Sequence, residues 1–230
     1  ILPDVILNTP AAGLINVHAS LLPRYRGASP IQRAIIAGER ETGITMIRLI
    51  REMDAGPVLA RLTRPINNDE TSEELENSLA LLGANLLQST VGAIASGSLQ
   101  EEPQNDALAT FAPRITKEEG RIDWNKPARS IHNLVRGTSP WPRAFTFLEG
   151  ARLLIRRTSI ETPAAGLSAG EPGELLEVVG DRILVACGEA TTLAILELQP
   201  EGGRALPTRS FLAGRTIEPG ARFQASPGRP

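Results

Sequence analysis

The sequence predicts a protein of two parts, an α/β layer with a largely parallel sheet and then a small antiparallel barrel or sandwich. Strand-like and helix-like segments alternate over residues 1–97, which we assign to the first domain. Residues 98–116 are polar, contain proline and show little periodicity, as in a linker. Short β-type runs broken by Gly, Pro and Asp follow in the second domain, 117–226, before a tail at 227–230.

The elements of the first part follow from periodicity and cap residues. The strand "LINVHA" runs into the loop "SLLPRYRGAS", and "SPIQRAIIAGE" then reads as a helix with Pro30 in its first turn. Two strands, "TGITMIRLI" and "VLARLTRPI", flank the turn "REMDAGP". The clearest helix has capping-box spacing at Thr71 and Glu74, carries a leucine every three or four residues, and is expected to end near Gly97.

In the second part, "KPARSIHNLVRG" is typical of a helix, in which we expect His132 to be a surface or partly packed residue. Five β-type runs follow: "AFTFLEG", "RLLIRRTSI", "GELLEVV", "DRILVAC" and "TTLAILELQP". Cys187 lies in one of them and is expected in the core.

Composition narrows the class of protein. The chain of 230 residues is 41% apolar and 22% charged, which is ordinary for a soluble globular protein, and no apolar run suggests a membrane span. A single cysteine excludes an internal disulfide framework, and two histidines argue against a histidine-rich metal centre. The net charge of −2 divides into −4 for residues 1–116 and +2 for the remainder, so only the second part leans toward an anionic partner.

Two polar residues in the first strand point to a site. Asn16 and His18 are two residues apart, so their side chains share one face of the strand. Ligands bind beyond the carboxyl ends of strands in open α/β sheets, and Asp54 also follows a strand. An amide and an imidazole can stabilise an oxyanion while a carboxylate orients the imidazole or assists proton removal, which suits acyl transfer. Spacing alone leaves an alternative open, in which these are polar strand-end and turn residues with satisfied hydrogen bonds.

The stretch "INVHASLLPRYRGASPIQRAIIAGERETGIT", followed by "MDAG", resembles the 10-formyltetrahydrofolate-dependent transferases. "RGASPIQRAI" and "RIDWNKPARSIHNLVRGTSPWPRAF" resemble their tRNA-directed branch, the methionyl-tRNA formyltransferases, and the resemblance runs from Ile1 to about Phe223. It implies a Rossmann-like catalytic domain, a linker and a carboxyl-terminal OB-like barrel that helps to hold tRNA. The implied reaction moves a formyl group from 10-formyltetrahydrofolate to methionyl-initiator tRNA, with no metal and no obligate protein partner, in the bacterial cytoplasm or an organelle.

The resemblance also assigns roles to residues. It makes Asn16, His18 and Asp54 catalytic, and it makes a loop the folate contact: Ser20, Leu21, Leu22 and Pro23. Two departures stand out. The family has strands and helices before the Asn-x-His strand, so we expect the catalytic domain to be truncated at its start. The turn "EMDAGP" replaces the usual "GLDTGD" but keeps its Asp and Gly.

Several further residues are candidates for RNA contact. Arg24, Arg26 and Arg33 are expected to meet acceptor-stem phosphates or the folate glutamate tail, with solvated surface arginines as the alternative. Trp141 stacks on a nucleotide or packs structurally. A basic barrel edge facing tRNA would be formed by Arg152, Arg156 and Arg157.

Two rival functions stay open at this stage. One is another 10-formyltetrahydrofolate enzyme, acting on a nucleotide sugar, a purine precursor or water. The other is a non-catalytic RNA-binding module derived from the family.

Overall fold

A computed structural model describes residues 3–7, 9–10, 13–162, 170–213, 215, 217 and 220–227, without the side chains of Asp4 and Val179. Of the predicted tail, only Pro227 is among them. The chain divides into two compact units. The first comprises Ile1–Ile35 and Glu39–Ile115, and the second comprises Ile36–Gly38 and Thr116–Pro230. Each unit has its own cluster of buried apolar side chains.

The first unit contains one sheet and the helices around it. In chain order its elements are α1 (Asp4–Leu7), β1 (Ile15–His18), α2 (Pro30–Ala37), β2 (Glu41–Arg48), β3 (Val58–Pro65), α3 (Ser72–Ala95) and a 3-10 turn (Asp106–Leu108). The sheet order is β1-β2-β3 and both pairs are antiparallel. The expectation of a largely parallel sheet is therefore wrong for the described strands. Alternating strands and helices give the order of elements but not their direction, and here the chain reverses twice.

Helix α3 confirms the sequence-based reading of its start and its buried face. The Thr71 hydroxyl accepts a hydrogen bond from the Glu74 N–H, and the Glu74 carboxylate accepts one from the Thr71 N–H. Three of the four leucines are buried, namely Leu75, Leu79 and Leu86. The fourth, Leu82, is partly buried. Contrary to the expectation from sequence, α3 is long and apolar enough to cross a membrane. In this fold its leucine face packs against the sheet.

The second unit consists mainly of antiparallel β-structure, as predicted. Its elements are a 3-10 turn (Glu118–Gly120), α4 (Ala128–Gly137), β4 (Ala144–Leu148), β5 (Ala151–Glu161), β6 (Leu175–Val179), β7 (Arg182–Cys187), β8 (Thr191–Pro200), β9 (Leu206–Pro207) and α5 (Thr208–Leu212). The strand order is β4-β5-β8-β7-β6, with β9 paired to β8. Gln224 exchanges two backbone hydrogen bonds with Phe147 of β4, while Ala221 accepts one from Leu175 of β6. The segment 221–224 thus bonds to both edge strands of this sheet.

Two residues of the second unit test the expectations for its core. Cys187 is buried among apolar side chains, as predicted. His132 is only 4% exposed, so the prediction of a surface or partly packed residue is wrong. Its Nδ1 lies 2.9 Å from the hydroxyl of Thr158, which is also buried. A β-bulge between Ile155 and Thr158 resets the alternation of β5 and turns Thr158 inward.

Replacing Thr71 by Ala should lower the free energy of unfolding by about 1 kcal/mol, because an amide at the start of α3 loses its side-chain acceptor. Urea unfolding followed by circular dichroism measures the effect. The matched control is Ser78→Ala, since the Ser78 hydroxyl only donates to the Glu74 carbonyl within the helix. Equal stabilities for the two variants would contradict the capping contribution.

Burial raises the pKa of the Cys187 thiol to about 12, so the thiolate that reacts with alkylating agents is scarce at pH 8. We expect the folded chain to consume no measurable iodoacetamide and the denatured chain to consume one equivalent. A Cys187→Ser variant supplies the blank. Rapid alkylation of the folded protein would show that this core opens readily.

Candidate active site

Strand β1 presents Asn16 and His18 on the same face. His18 is 6% exposed and Asn16 is partly buried, whereas Val17 between them is 37% exposed on the opposite face. Across the antiparallel pair, Asn16 lies opposite Ile47 and His18 opposite Thr45. The alternation predicted from sequence is therefore found in the structure.

Asp54 reaches these residues by a route that the sequence did not indicate. In an antiparallel pair the carboxyl ends of the two strands lie at opposite ends of the pair, so β2 ends beside the start of β1. The segment 49–57 then folds back, with the Leu49 N–H donating to the Leu14 carbonyl at 2.8 Å. Asp54 has a φ of 54°, in the left-handed region, and a Cβ on Gly56 would lie 1.8 Å from the Arg48 carbonyl oxygen. The turn thus lies tightly against the end of β2, and its carboxylate comes near Asn16 and His18.

The Asp54 carboxylate is the centre of the cluster. Its Oδ1 accepts from the Asn16 amide at 3.5 Å, and its Oδ2 accepts from the Gly27 N–H at 2.9 Å and lies 3.6 Å from His18 Nδ1. The other imidazole nitrogen, Nε2, is 3.0 Å from the Tyr25 carbonyl oxygen. Both ring nitrogens therefore face oxygen acceptors. An amide, an imidazole and a carboxylate, all at least partly buried, are brought within one hydrogen-bonding cluster.

The loop after β1 holds two of the predicted folate-contacting residues inside the protein. The Thr45 hydroxyl donates to the Ser20 carbonyl at 2.6 Å and accepts from the Leu22 N–H at 3.1 Å. The side chain of Leu22 is 1% exposed and Ser20 is fully buried, whereas Leu21 and Pro23 are partly exposed. Of these four side chains, only those of Leu21 and Pro23 are therefore accessible from outside.

Two of the predicted arginines in this unit are engaged by neighbouring groups. Arg24 forms an ion pair with Glu39, whose carboxylate also accepts from the Tyr25 hydroxyl at 2.7 Å. Burial, together with the nearby Glu39 carboxylate, raises the pKa of Tyr25 to about 12. Arg33 is partly buried and donates to the Pro113 carbonyl at 3.0 Å.

Arg26 corrects the expectation of an RNA-contacting surface residue, because it is only 6% exposed. Its guanidinium donates to Gln104 Oε1 at 3.1 and 2.8 Å and to the Asp106 carboxylate at 2.7 Å. The Gln104 amide in turn donates to the carbonyls of Asp54 and Gly56, both at 2.8 Å. Sequence reasoning missed Gln104, since it lies in a polar segment without periodicity and matches no motif.

The candidates in the second unit lie on or near its sheet. Trp141 is 48% exposed, and Arg157 is exposed beside the bulge in β5. The Arg152 guanidinium lies 4.1 Å from the centre of the Phe145 ring, and Arg156 donates to Gln199 Oε1 at 3.1 Å. Within the described ranges, no three His, Cys, Asp or Glu side chains are grouped so as to hold a metal ion.

Comparison with known proteins places the chain in a family. The formyl transferase model matches residues 1–91, and the model of the formyl transferase C-terminal domain matches residues 114–216. The methionyl-tRNA formyltransferase of Geobacter sulfurreducens is 45% identical over 223 residues, which are 97% of this chain and 68% of that protein. That of Heliobacterium modesticaldum is 42% identical, over 97% of this chain and 72% of its own length.

Solved structures show the same fold. An N-formyltransferase from Helicobacter canadensis, in complex with folinic acid and dTDP-3-aminofucose, has a TM-score of 0.66 at 19% identity, covering 79% of this chain and 65% of that one. A methionyl-tRNA formyltransferase from Clostridium thermocellum has a TM-score of 0.55 at 21% identity, covering 70% and 68%. Since both family models match and the relatives share over two fifths of the aligned residues, the chain belongs to the formyl transferase family, with the methionyl-tRNA formyltransferases.

Proposed function

We propose that this chain transfers a formyl group from 10-formyltetrahydrofolate to the α-amino group of methionyl-initiator tRNA, for translation initiation. The observation that carries the proposal is that Oδ1 and Oδ2 of Asp54 lie 3.5 and 3.6 Å from Asn16 and His18, respectively. The relatives from Geobacter sulfurreducens and Heliobacterium modesticaldum are named methionyl-tRNA formyltransferases, which supports methionyl-tRNA as the acceptor. The folinic acid in the Helicobacter canadensis complex supports a folate as the donor.

The proposed chemistry needs three tasks from these side chains. The acceptor amine attacks the formyl carbon in its neutral form, which is accessible near neutral pH because α-amino pKa values lie around 7.7–8.0. The new C–N bond leaves an oxyanion on the tetrahedral carbon. The Asn16 amide donates to it, and the His18 imidazole does so once it turns from the Tyr25 carbonyl. Collapse breaks the bond to the folate nitrogen, which takes up a proton as tetrahydrofolate leaves. Asp54 orients the two donors and assists removal of the amine proton.

The contacts of the Asp54 carboxylate with Asn16 and His18 are long. The contacts from Asn16 and His18 to Asp54 are 3.5 and 3.6 Å, longer than ordinary hydrogen bonds. Catalytic hydrogen bonds are often long before substrate binds and shorten in the complex. Leu21 and Pro23 give the folate an apolar contact, and Ser20 and Leu22 support the shape of that loop from inside.

We infer that residues 117–226 are an OB-like barrel that helps to hold tRNA, with 98–116 leading into it. The hydrogen bonds from segment 221–224 to both edge strands support a closed sheet. Exposed Trp141 and Arg157 suit base stacking and phosphate contact, and Arg152 and Arg156 extend the basic edge. We place the enzyme in the bacterial cytoplasm, in keeping with the bacterial sources of its relatives.

A second candidate is formylation of an amino sugar attached to a nucleotide. The fold likeness to the Helicobacter canadensis N-formyltransferase favours it, although identity is 19% there and 45% to the Geobacter sulfurreducens relative. Assays with methionyl-tRNA and with dTDP-3-aminofucose as alternative acceptors separate the two. Turnover of the sugar nucleotide alone would replace the tRNA proposal.

Replacing His18 or Asn16 by Ala should each lower kcat by roughly 100- to 1,000-fold, because each removes a donor aimed at the developing oxyanion. Asp54→Asn keeps the shape but removes the charge, so it should also lose turnover while staying folded. Single-turnover formylation of methionyl-tRNA by the full-length protein measures all three. The double variant His18→Ala with Asp54→Asn should cost much less than the product of the single losses.

The matched control for these variants is Val17→Thr, a substitution of nearly equal volume on the opposite face of the same strand, where Val17 is 37% exposed, and it should leave turnover unchanged. Circular dichroism establishes that each variant is folded. Near wild-type turnover by a folded His18→Ala protein would favour the alternative of polar strand-end residues without a catalytic part.

Replacing Arg152, Arg156 and Arg157 together by Ala should weaken tRNA binding and flatten its dependence on salt, because fewer counterions are released on binding. Filter binding at several salt concentrations gives the slope. Arg61→Ala is the control, since Arg61 lies on β3 of the other unit in an exposed ion pair with Glu102. An unchanged slope in the triple variant would remove this edge from the RNA-binding surface.

A further inference from the structure

We propose that Gln104, supported by Arg26, is a positioning residue that holds the Asp54 turn in its reactive geometry. This inference rests on the proposed function, in which Asp54 is catalytic. Gln104 lies 50 residues after Asp54 in the chain, beyond α3. Its side-chain hydrogen bonds within the described part of the chain go to Arg26, Asp54 and Gly56 and not to Asn16 or His18.

The Gln104 amide joins two segments that would otherwise be independent. Its Nε2 donates both of its hydrogens, to the Asp54 and Gly56 carbonyls at 2.8 Å each. Its Oε1 accepts from Nε and Nη2 of Arg26 at 3.1 and 2.8 Å. Every polar atom of the side chain is thus used, and its orientation is defined by partners on both sides.

The turn has a specific need for this support. Asp54 adopts a left-handed φ of 54°, which costs a residue other than glycine some conformational energy. Its neighbour Met53 is 57% exposed, so core packing does not secure the tip of the turn. Two donated hydrogen bonds to the carbonyls on either side of Ala55 offset that cost and fix the direction of the carboxylate.

Gln104 is itself held in place by backbone hydrogen bonds on both sides of it. The Glu102 N–H donates to the Val58 carbonyl at 2.9 Å, which ties the segment to the start of β3. The Ala112 N–H donates to the Arg26 carbonyl at 2.7 Å, and the Arg26 N–H donates to the Thr110 carbonyl at 2.9 Å. Between these points, Gln104 has little freedom to follow a moving turn.

Arg26 and the residue after it also contact this turn and its support. Its neighbour Gly27 donates its N–H to Asp54 Oδ2 at 2.9 Å, while the Arg26 guanidinium bonds to Gln104 and to Asp106. The turn is therefore hydrogen-bonded through its carboxylate to the loop after β1 and through its backbone to Gln104. Displacement of a reacting group by about 1 Å can cost on the order of 100-fold in rate, so we expect these hydrogen bonds to affect turnover.

The test is Gln104→Glu in the full-length protein, because a carboxylate of the same shape still pairs with Arg26 but cannot donate to the two carbonyls. We expect kcat to fall by about 10- to 100-fold, with the KM for 10-formyltetrahydrofolate changed far less. Glu102→Gln is the matched control, since it removes only an exposed ion pair in the same segment and should leave both constants unchanged.

A double variant separates positioning from a general loss of structure. If Gln104 acts through Asp54, adding Gln104→Glu to Asp54→Asn should lower kcat little further, whereas an independent structural effect would multiply the two losses. Gln104→Met decides the question if the Glu variant does not fold. Unchanged kcat in a folded Gln104 variant, or fully multiplicative losses, would overturn the proposal. Full activity of Asp54→Asn would instead overturn the catalytic role of Asp54.

Discussion

The antiparallel pairing of β1 with β2 is the constraint on which the site depends. It places the carboxyl end of β2 beside the first residue of β1, whereas His18 lies at the other end of β1. The chain has to return across β1 for a carboxylate to approach Asn16 and His18, and segment 49–57 makes that return. This reversal depends on three residues. Gly56 allows the close approach of the backbone, Asp54 adopts the left-handed conformation, and Gln104 donates to the carbonyls of the turn.

The second unit combines its two kinds of secondary structure through buried polar pairs as well as apolar packing. His132 of α4 meets Thr158 of β5, and Trp124 donates its indole N–H to the Thr146 hydroxyl at 2.9 Å. Trp124 also stacks on Phe223, with ring centroids 5.3 Å apart, which anchors the segment that bonds to both edge strands. These pairs have to be satisfied internally, so they fix where the helix and the last segment lie against the sheet.

Local signals were readable from sequence, while direction and long-range polar contacts were not. The capping box of α3 and the shared face of Asn16 and His18 depend on spacings of two and three residues, and both were found as predicted. The prediction of a parallel sheet was wrong because the order of elements does not determine strand direction. Arg26 looked like a surface arginine because its partners, Gln104 and Asp106, lie about 80 residues away in a segment that seemed featureless.

The contacts of residues 102–112 also determine where the protein can be divided and recombined. These residues follow the last helix of the first unit, yet they supply the partners of Arg26 and of the Asp54 turn. A chimaera joined directly after α3 would separate the Asp54 turn from Gln104, even with every motif residue retained. A junction after Ile115 keeps those partners together, so the functional boundary of the module lies beyond its last regular element.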